Sequence, residues 1–200
     1  MTLIPQHKRI VMLIANISNC ASLEDFYKSI RMQQEKAHGD FYCQHHDMIK
    51  KYMVRGDKYK ELGVYQGASA AAACLIFPSE VELIDLSLEL FNENKHLFIE
   101  YCNRNNITLV AKEMSSINTK SQSMADILLI DSYHKAYHLK QELEIHSKFT
   151  RKFMIFHDTS IRKGELFIYL KEFVNNESAW RIEERGMIGQ GYTVLKRIYA

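Results

Sequence analysis

Two short segments of this 200-residue chain gather acids and imidazoles in a pattern able to move protons or hold a cation. Asp131-Ser132-Tyr133-His134 follows one apolar run, and Phe156-His157-Asp158-Thr159 follows another. An imidazole with its ordinary pKa of ~6.5 can take a proton from a hydroxyl near neutral pH, so His134 and His157 are candidate general bases, with His134 preferred. Asp131 and Asp158 are hard oxygen donors suited to a divalent cation such as magnesium, which would polarise an acceptor oxygen. The other reading is a metal-free site in which Asp131 only positions substrate. Singly, each of these residues could be a satisfied polar group at a strand end; four at corresponding strand ends are harder to dismiss. A third segment, Glu61-Leu62-Gly63-Val64-Tyr65-Gln66-Gly67, carries glycines that permit a tight turn and a close backbone approach to a ligand, although plain turn glycines would look the same. Roughly twenty residues further on stands Asp85, whose carboxylate can accept from two ribose hydroxyls or cap the following helix.

The elements that must position these residues follow from the apolar pattern. After Gly56, short Val/Ile/Leu-rich runs alternate with helix-period segments, the mark of βα units and a parallel sheet. Strands are predicted at 59–64, 81–86, 107–112, 126–131 and 153–157, with helices at 68–76, 88–103, 135–149 and 165–174 between or after them. The runs 180–184 and 192–197, joined by a Gly-containing stretch with no room for a helix, are predicted to pair as an antiparallel hairpin. Segments 131–134 and 156–159 then meet at the carboxyl edge of the sheet, where open α/β folds bind ligands. Before residue 53, polar helix-forming sequence with Phe26, Ile30, Met48 and Ile49 at helical spacing predicts one or two helices. The division expected is an N-terminal helical extension over 1–56 and a Rossmann-like domain over 57–200. The extension is expected to lie over the site or form a homodimer contact, and its deletion to leave a folded core. The apolar run at 10–14 is read as an uncleaved strand or helix.

Five βα-alternating strands and a terminal hairpin, with an ExGxxxG closing the first strand, resemble the class I S-adenosylmethionine-dependent methyltransferases. The small methyltransferase-like or cephalosporin-hydroxylase-like group is the most similar. The resemblance spans about 58–197. It implies an α/β, Rossmann-like three-layer sandwich around a seven-stranded mixed sheet. The 61–67 loop, through Glu61, Gly63, Tyr65, Gln66 and Gly67, would cradle the methionine end of the cofactor, with Glu61 ordering the loop. Asp85 would hold the ribose, Glu113 and Met114 would form the adenine pocket, and Asp131 would border both cofactor and acceptor. An aspartate with a nearby histidine after strand four, and a His-Asp pair after strand five, have counterparts in that family.

Other classes are narrowed by what the chain lacks. A GxGxxG dinucleotide fingerprint is absent. Asp131-Ser132-Tyr133-His134 replaces the Asn-Pro-Pro-Tyr segment of enzymes that methylate planar amino groups, and the Lys-Asp-Lys-Glu set of ribose methyltransferases is incomplete. No His-x-Asp segment supports a hydroxylase with non-haem iron. With 26 basic against 24 acidic residues the formal charge is only +2, so nucleic acid is disfavoured as a partner and a small hydroxylated metabolite or sugar is expected as acceptor. Lys50, Lys51, Arg55, Lys58 and Lys60 read as a solvated face. Cys43, His45, His46 and Asp47 crowd one helix and read as its exposed side rather than a metal site. Four scattered cysteines without a CxxC pair fit a reducing cytoplasm, and no run approaches a membrane span. A cofactor-binding or interaction protein of the same fold, without methyl transfer, is the alternative function.

Overall fold

The computed structural model describes residues 20–118 and 123–198, so the run at 10–14 lies outside the described residues. The described residues open with two helices, α1 (Leu23–His38) and α2 (Gln44–Tyr52). Ser22 caps α1 by accepting from the Asp25 amide at 3.2 Å, Glu24 and Asp25 complement the positive end of the helix dipole, and Lys36 and His38 sit in its last turn. The buried positions Leu23, Phe26, Tyr27, Ile30 and Gln34 fall on one stripe at helical spacing. Arg31 clamps the two helices with two bonds to the Asp47 carboxylate, at 2.6 and 2.9 Å.

The βα units follow as β1 (Lys58–Leu62), α3 (Ala68–Cys74), β2 (Glu80–Asp85), α4 (Glu89–Asn92), α5 (Lys95–Arg104), β3 (Thr108–Glu113), β4 (Ala125–Ile130), α6 (Ala136–His146), β5 (Thr150–His157), α7 (Glu165–Asn176), β6 (Trp180–Gly186) and β7 (Tyr192–Arg197). The helix expected over 88–103 is split into α4 and α5. One sheet runs in the order β3-β2-β1-β4-β5-β7-β6, parallel through β5 and antiparallel at β7 and β6. This is the Rossmann-like, seven-stranded mixed sheet that the βα alternation and terminal hairpin imply.

Alternation along the central strands separates two cores. Tyr59, Ile127, Leu129 and Ile155 face one side, where α1, α2, α3 and α5 pack; Leu62, Leu128, Ile130, Met154 and Phe156 face the other, beneath α6 and α7. The short helix α3 is buried on all sides, because α1 and α2 press it from above while the sheet lies below. Its alanines are the residues small enough for that double contact. The N-terminal helices therefore share the first core: Leu23, Phe26, Ile30 and Ile49 are wholly or almost wholly buried there. Removing them would uncover that core, which bears on the expectation that the remainder folds without them.

The basic stretch is not one solvated face either. Lys60 is buried against Glu82 at 3.0 Å, Lys51 bonds Glu184 at 2.6 Å, and Asp57 is buried beside Lys152. Among the described residues, no helix is long and apolar enough to cross a membrane.

Candidate active site

At the end of β1 the chain turns through Gly63, which has φ 89° and donates to the Ile84 carbonyl at 2.9 Å. A Cβ at Gly63 would overlap the backbone carbonyl of Asp131, so glycine lets the chain leaving β1 pass close against the chain leaving its parallel neighbour β4. Gly67, with φ 85°, lies against the rings of Phe91 and Phe98. Both glycines permit a close approach of the protein's own backbone and rings. Glu61 is fully buried and accepts from the Tyr59 hydroxyl at 2.7 Å and from the Ser69 hydroxyl, tying β1 to the first turn of α3. Burial pushes its carboxyl up to about 8, with the two hydroxyl bonds opposing.

Asp85, at the end of β2, accepts from the amides of Val64 at 2.6 Å and Tyr65 at 3.0 Å through Oδ2, and from Ser87 at 3.2 Å through Oδ1. It orders the glycine loop and caps the turn that follows β2. Three donors leave Oδ1 one acceptor direction, and the exposed Tyr65, Leu86 and Ser87 around it keep the carboxylate within reach of a ligand hydroxyl. Glu113 accepts from the Leu88 amide at 3.0 Å, and Met114, half-buried, packs on the second core with its amide on the Asp85 carbonyl at 2.7 Å. Gln66 is buried, whereas Tyr65 is exposed on the loop. The rim from Tyr65 through Asp85 to Glu113 suits a nucleoside in its acceptors and its exposure.

The ends of β4 and β5 converge as the spacing implied. His134 Nε2 lies 3.1 Å from Asp131 Oδ1 and its Nδ1 lies 3.1 Å from Asp158 Oδ2. His157 Nδ1 lies 3.1 Å from the same Asp131 oxygen and 3.6 Å from Asp158 Oδ1. Burial alone would raise the Asp131 carboxyl, but the facing His157 and His134 hold it far below the usual range. Burial likewise lowers both imidazoles, and Asp131 outweighs it, so His134 and His157 stand above their ordinary value. Asp158 is raised, chiefly by its own burial. The His134 side chain is 32% exposed and that of His157 only 3%. His157 is therefore closed off from an acceptor, and His134 is the imidazole open to the mouth. Ser132, next to Asp131 in sequence, donates to the buried Glu142 at 2.5 Å, which fixes the turn after β4 from below.

The imidazole ring of His134 stands between the two carboxylates where magnesium was expected. Magnesium demands an oxygen shell, and this donor set is rich in nitrogen, so the Asp131–Asp158 magnesium site does not fit.

The N-terminal helices bring three side chains that the spacing did not reveal. The Tyr42 ring meets His157 edge-on at 5.3 Å, and His45 lies over His157 at 4.1 Å between centroids, with His46 at 4.2 Å from His45. Cys43, His45 and His46 are buried, which corrects the reading of that segment as an exposed helix face. Burial pushes the His45 imidazole down to about 3 and that of His46 well below its ordinary value. The signal present in the sequence was the His45-His46 pair itself, weighed only against neighbours on its own helix.

No family model matches the chain, and no curated protein matches it by sequence. Solved structures do. A ribosomal protein L11 methylase from Lactobacillus delbrueckii subsp. bulgaricus superposes with a TM-score of 0.57 at 18% identity, over 79% of each chain. A candidate rRNA methylase from Clostridium thermocellum gives 0.59 at 13% identity, over 77% of this chain and 93% of that one. A candidate RNA methyltransferase from Pyrococcus horikoshii gives 0.55 at 14%, over 80% and 86%. The described acceptors of these three are a ribosomal protein, ribosomal RNA and RNA, which overturns the expectation of a small-molecule acceptor with nucleic acid disfavoured. A formal charge summed over the whole chain says nothing about the surface beside the site. What this chain shares with all three is the Rossmann-like fold of S-adenosylmethionine-dependent methylases.

Proposed function

We propose that this chain is an S-adenosylmethionine-dependent methyltransferase acting on an oxygen of an RNA acceptor. The observation that carries the reading is the juxtaposition of Asp85 and the glycine loop with the half-open Asp131–His134–Asp158 cluster, locked together where Gly63 crosses Asp131. Asp85 would hold the ribose, with Glu113 and Met114 on the adenine side and Tyr65 over the methionine end; Glu61 and Gln66 support the loop from within. The bound cofactor supplies an electrophilic methyl carbon. The chain aligns the acceptor with it, and alignment provides much of the rate. His134 takes the acceptor's proton on Nδ1, which exchanges the Asp158 carboxylate for the acceptor hydroxyl, while Asp131 holds Nε2. His157 acts as a positioning residue for Asp131.

RNA is favoured over protein by the surface next to His134. Tyr133 and Tyr137, 54% and 60% exposed, pair at 6.1 Å, and exposed Arg162 donates to the His134 carbonyl at 2.9 Å. Aromatic faces beside a guanidinium are what an unstacked base and its phosphate meet. Membership of the cephalosporin-hydroxylase-like group rests on the Asp131/His134 and His157-Asp158 pairs, and a cytoplasmic setting on the free thiols of Cys20, Cys43, Cys74 and Cys102. Incubation with methyl-labelled cofactor and total RNA tests the proposal: label should enter material destroyed by ribonuclease. Label confined to protease-sensitive material would refute the RNA acceptor, and no transfer to either would refute the activity.

A further inference from the structure

We propose that His45, Asp131 and His157 form a two-histidine, one-carboxylate site for a divalent transition ion of the zinc class, joining helix α2 to the carboxyl edge of the sheet. One ligand atom from each lies within 4.8 Å of the others. Ligands held at ~2.1 Å from a tetrahedral ion sit about 3.4 Å apart, so closing the site moves each side chain by up to about 0.7 Å. Nδ1 of His45 and Nε2 of His157 are both buried without a hydrogen-bond partner, as are His46 Nδ1 and Asp158 Oδ1 beside them. Four such atoms in one place are exceptional, because buried polar atoms are almost always paired. The two rings lie 34° from parallel at 4.1 Å, and stacking supplies no partner for His45 Nδ1 or His157 Nε2, while His157 Nδ1 already faces the Asp131 carboxylate at 3.1 Å.

A second set, Asp131, His134 and Asp158, is also close enough for an ion. There both His134 nitrogens already face carboxylates at 3.1 Å, and no vacancy for an ion is implied. Two nitrogens and one oxygen suit zinc, iron or cobalt and not magnesium, and three protein ligands leave a position open. The site shares Asp131 and His157 with the proposed proton-transfer cluster, but metal binding is read without cofactor or acceptor, so its failure is distinguishable from failure of the methyl-transfer reading.

The full chain, stripped with chelator, is titrated with zinc alone by calorimetry and with cobalt by visible absorption. One ion per chain is expected, with a four- or five-coordinate cobalt spectrum that a hundredfold excess of magnesium does not remove. His45→Phe, which keeps a ring of similar shape, should weaken zinc at least tenfold while its metal-free melting temperature stays equal or rises, because the orphaned nitrogen is gone. Asp131→Asn should also weaken zinc tenfold, and exposed His96→Gln should leave affinity unchanged. If His45→Phe fails to fold, wild-type stoichiometry and the Asp131→Asn titration decide. Absence of stoichiometric binding, a six-coordinate aqua-type cobalt spectrum, or undiminished affinity in a folded His45→Phe or Asp131→Asn would overturn the site.

Discussion

Glu61 shows how a residue chosen for a loop shapes the behaviour of the protein with pH. Its carboxyl is raised to about 8 by burial, above the ~4.3 of an exposed glutamate, so the folded state binds the proton more tightly than the unfolded one. Its contribution is fully present below the unfolded value and is lost as pH rises through about 8. Denaturant melts of Glu61→Gln across pH 4 to 9 should show a flatter stability profile than the wild type; parallel profiles would remove this assignment. At the mouth, His134→Ala should lower turnover by roughly 10²–10⁴-fold with cofactor affinity nearly intact, because proton removal matters only in the chemical step. Asp131→Asn should impair both acceptor binding and turnover, since its carboxylate orients two imidazoles. Steady-state kinetics beside calorimetry separates these outcomes. The convergence of Asp131, His134, His157 and Asp158 was legible from strand ends alone. The cover of Tyr42 and His45 over His157 was not, because spacing within a helix says nothing of which strand end that helix will meet.

Among the elements, the close approach of the chain at the ends of β1 and β4 is the joint on which the proposed cofactor rim and the proposed proton-transfer cluster both hang. Gly63→Ala places a methyl on the Asp131 carbonyl and imposes a left-handed φ on a residue with a Cβ, so a loss of about 3 kcal/mol or more is expected. Urea unfolding checks it; a variant of wild-type stability would mean the strand ends separate freely. The mixed character of the sheet, five parallel strands and an antiparallel hairpin, was readable because βα alternation and a helix-free terminal connection permit few topologies. The break between α4 and α5 was not, because Phe91, Leu97, Phe98, Tyr101 and Cys102 keep a helix-like apolar rhythm straight through it. Asp85 likewise read as ribose ligand or cap, and in the fold its carboxylate orders both the glycine loop and the turn after β2.

For the whole molecule, the N-terminal helices belong to the first core and close over the β5 edge at once. A chain beginning at residue 54 would uncover α3 and one face of the sheet, and it should aggregate or lose its near-ultraviolet circular dichroism; a monomeric, folded truncation would show that the helices are dispensable. The same segment carries Tyr42, in the turn between the helices, and His45 on α2, so truncation would also strip the cover from His157. The central claim, a nucleoside cofactor on the rim from the glycine loop to Asp85, is tested most directly by titrating S-adenosylhomocysteine into the full chain by calorimetry. One molecule per chain should bind the wild type, with affinity at least tenfold weaker in Asp85→Ala. No saturable binding to the folded wild type would contradict the claim, and equal affinity in the variant would take the ribose from Asp85.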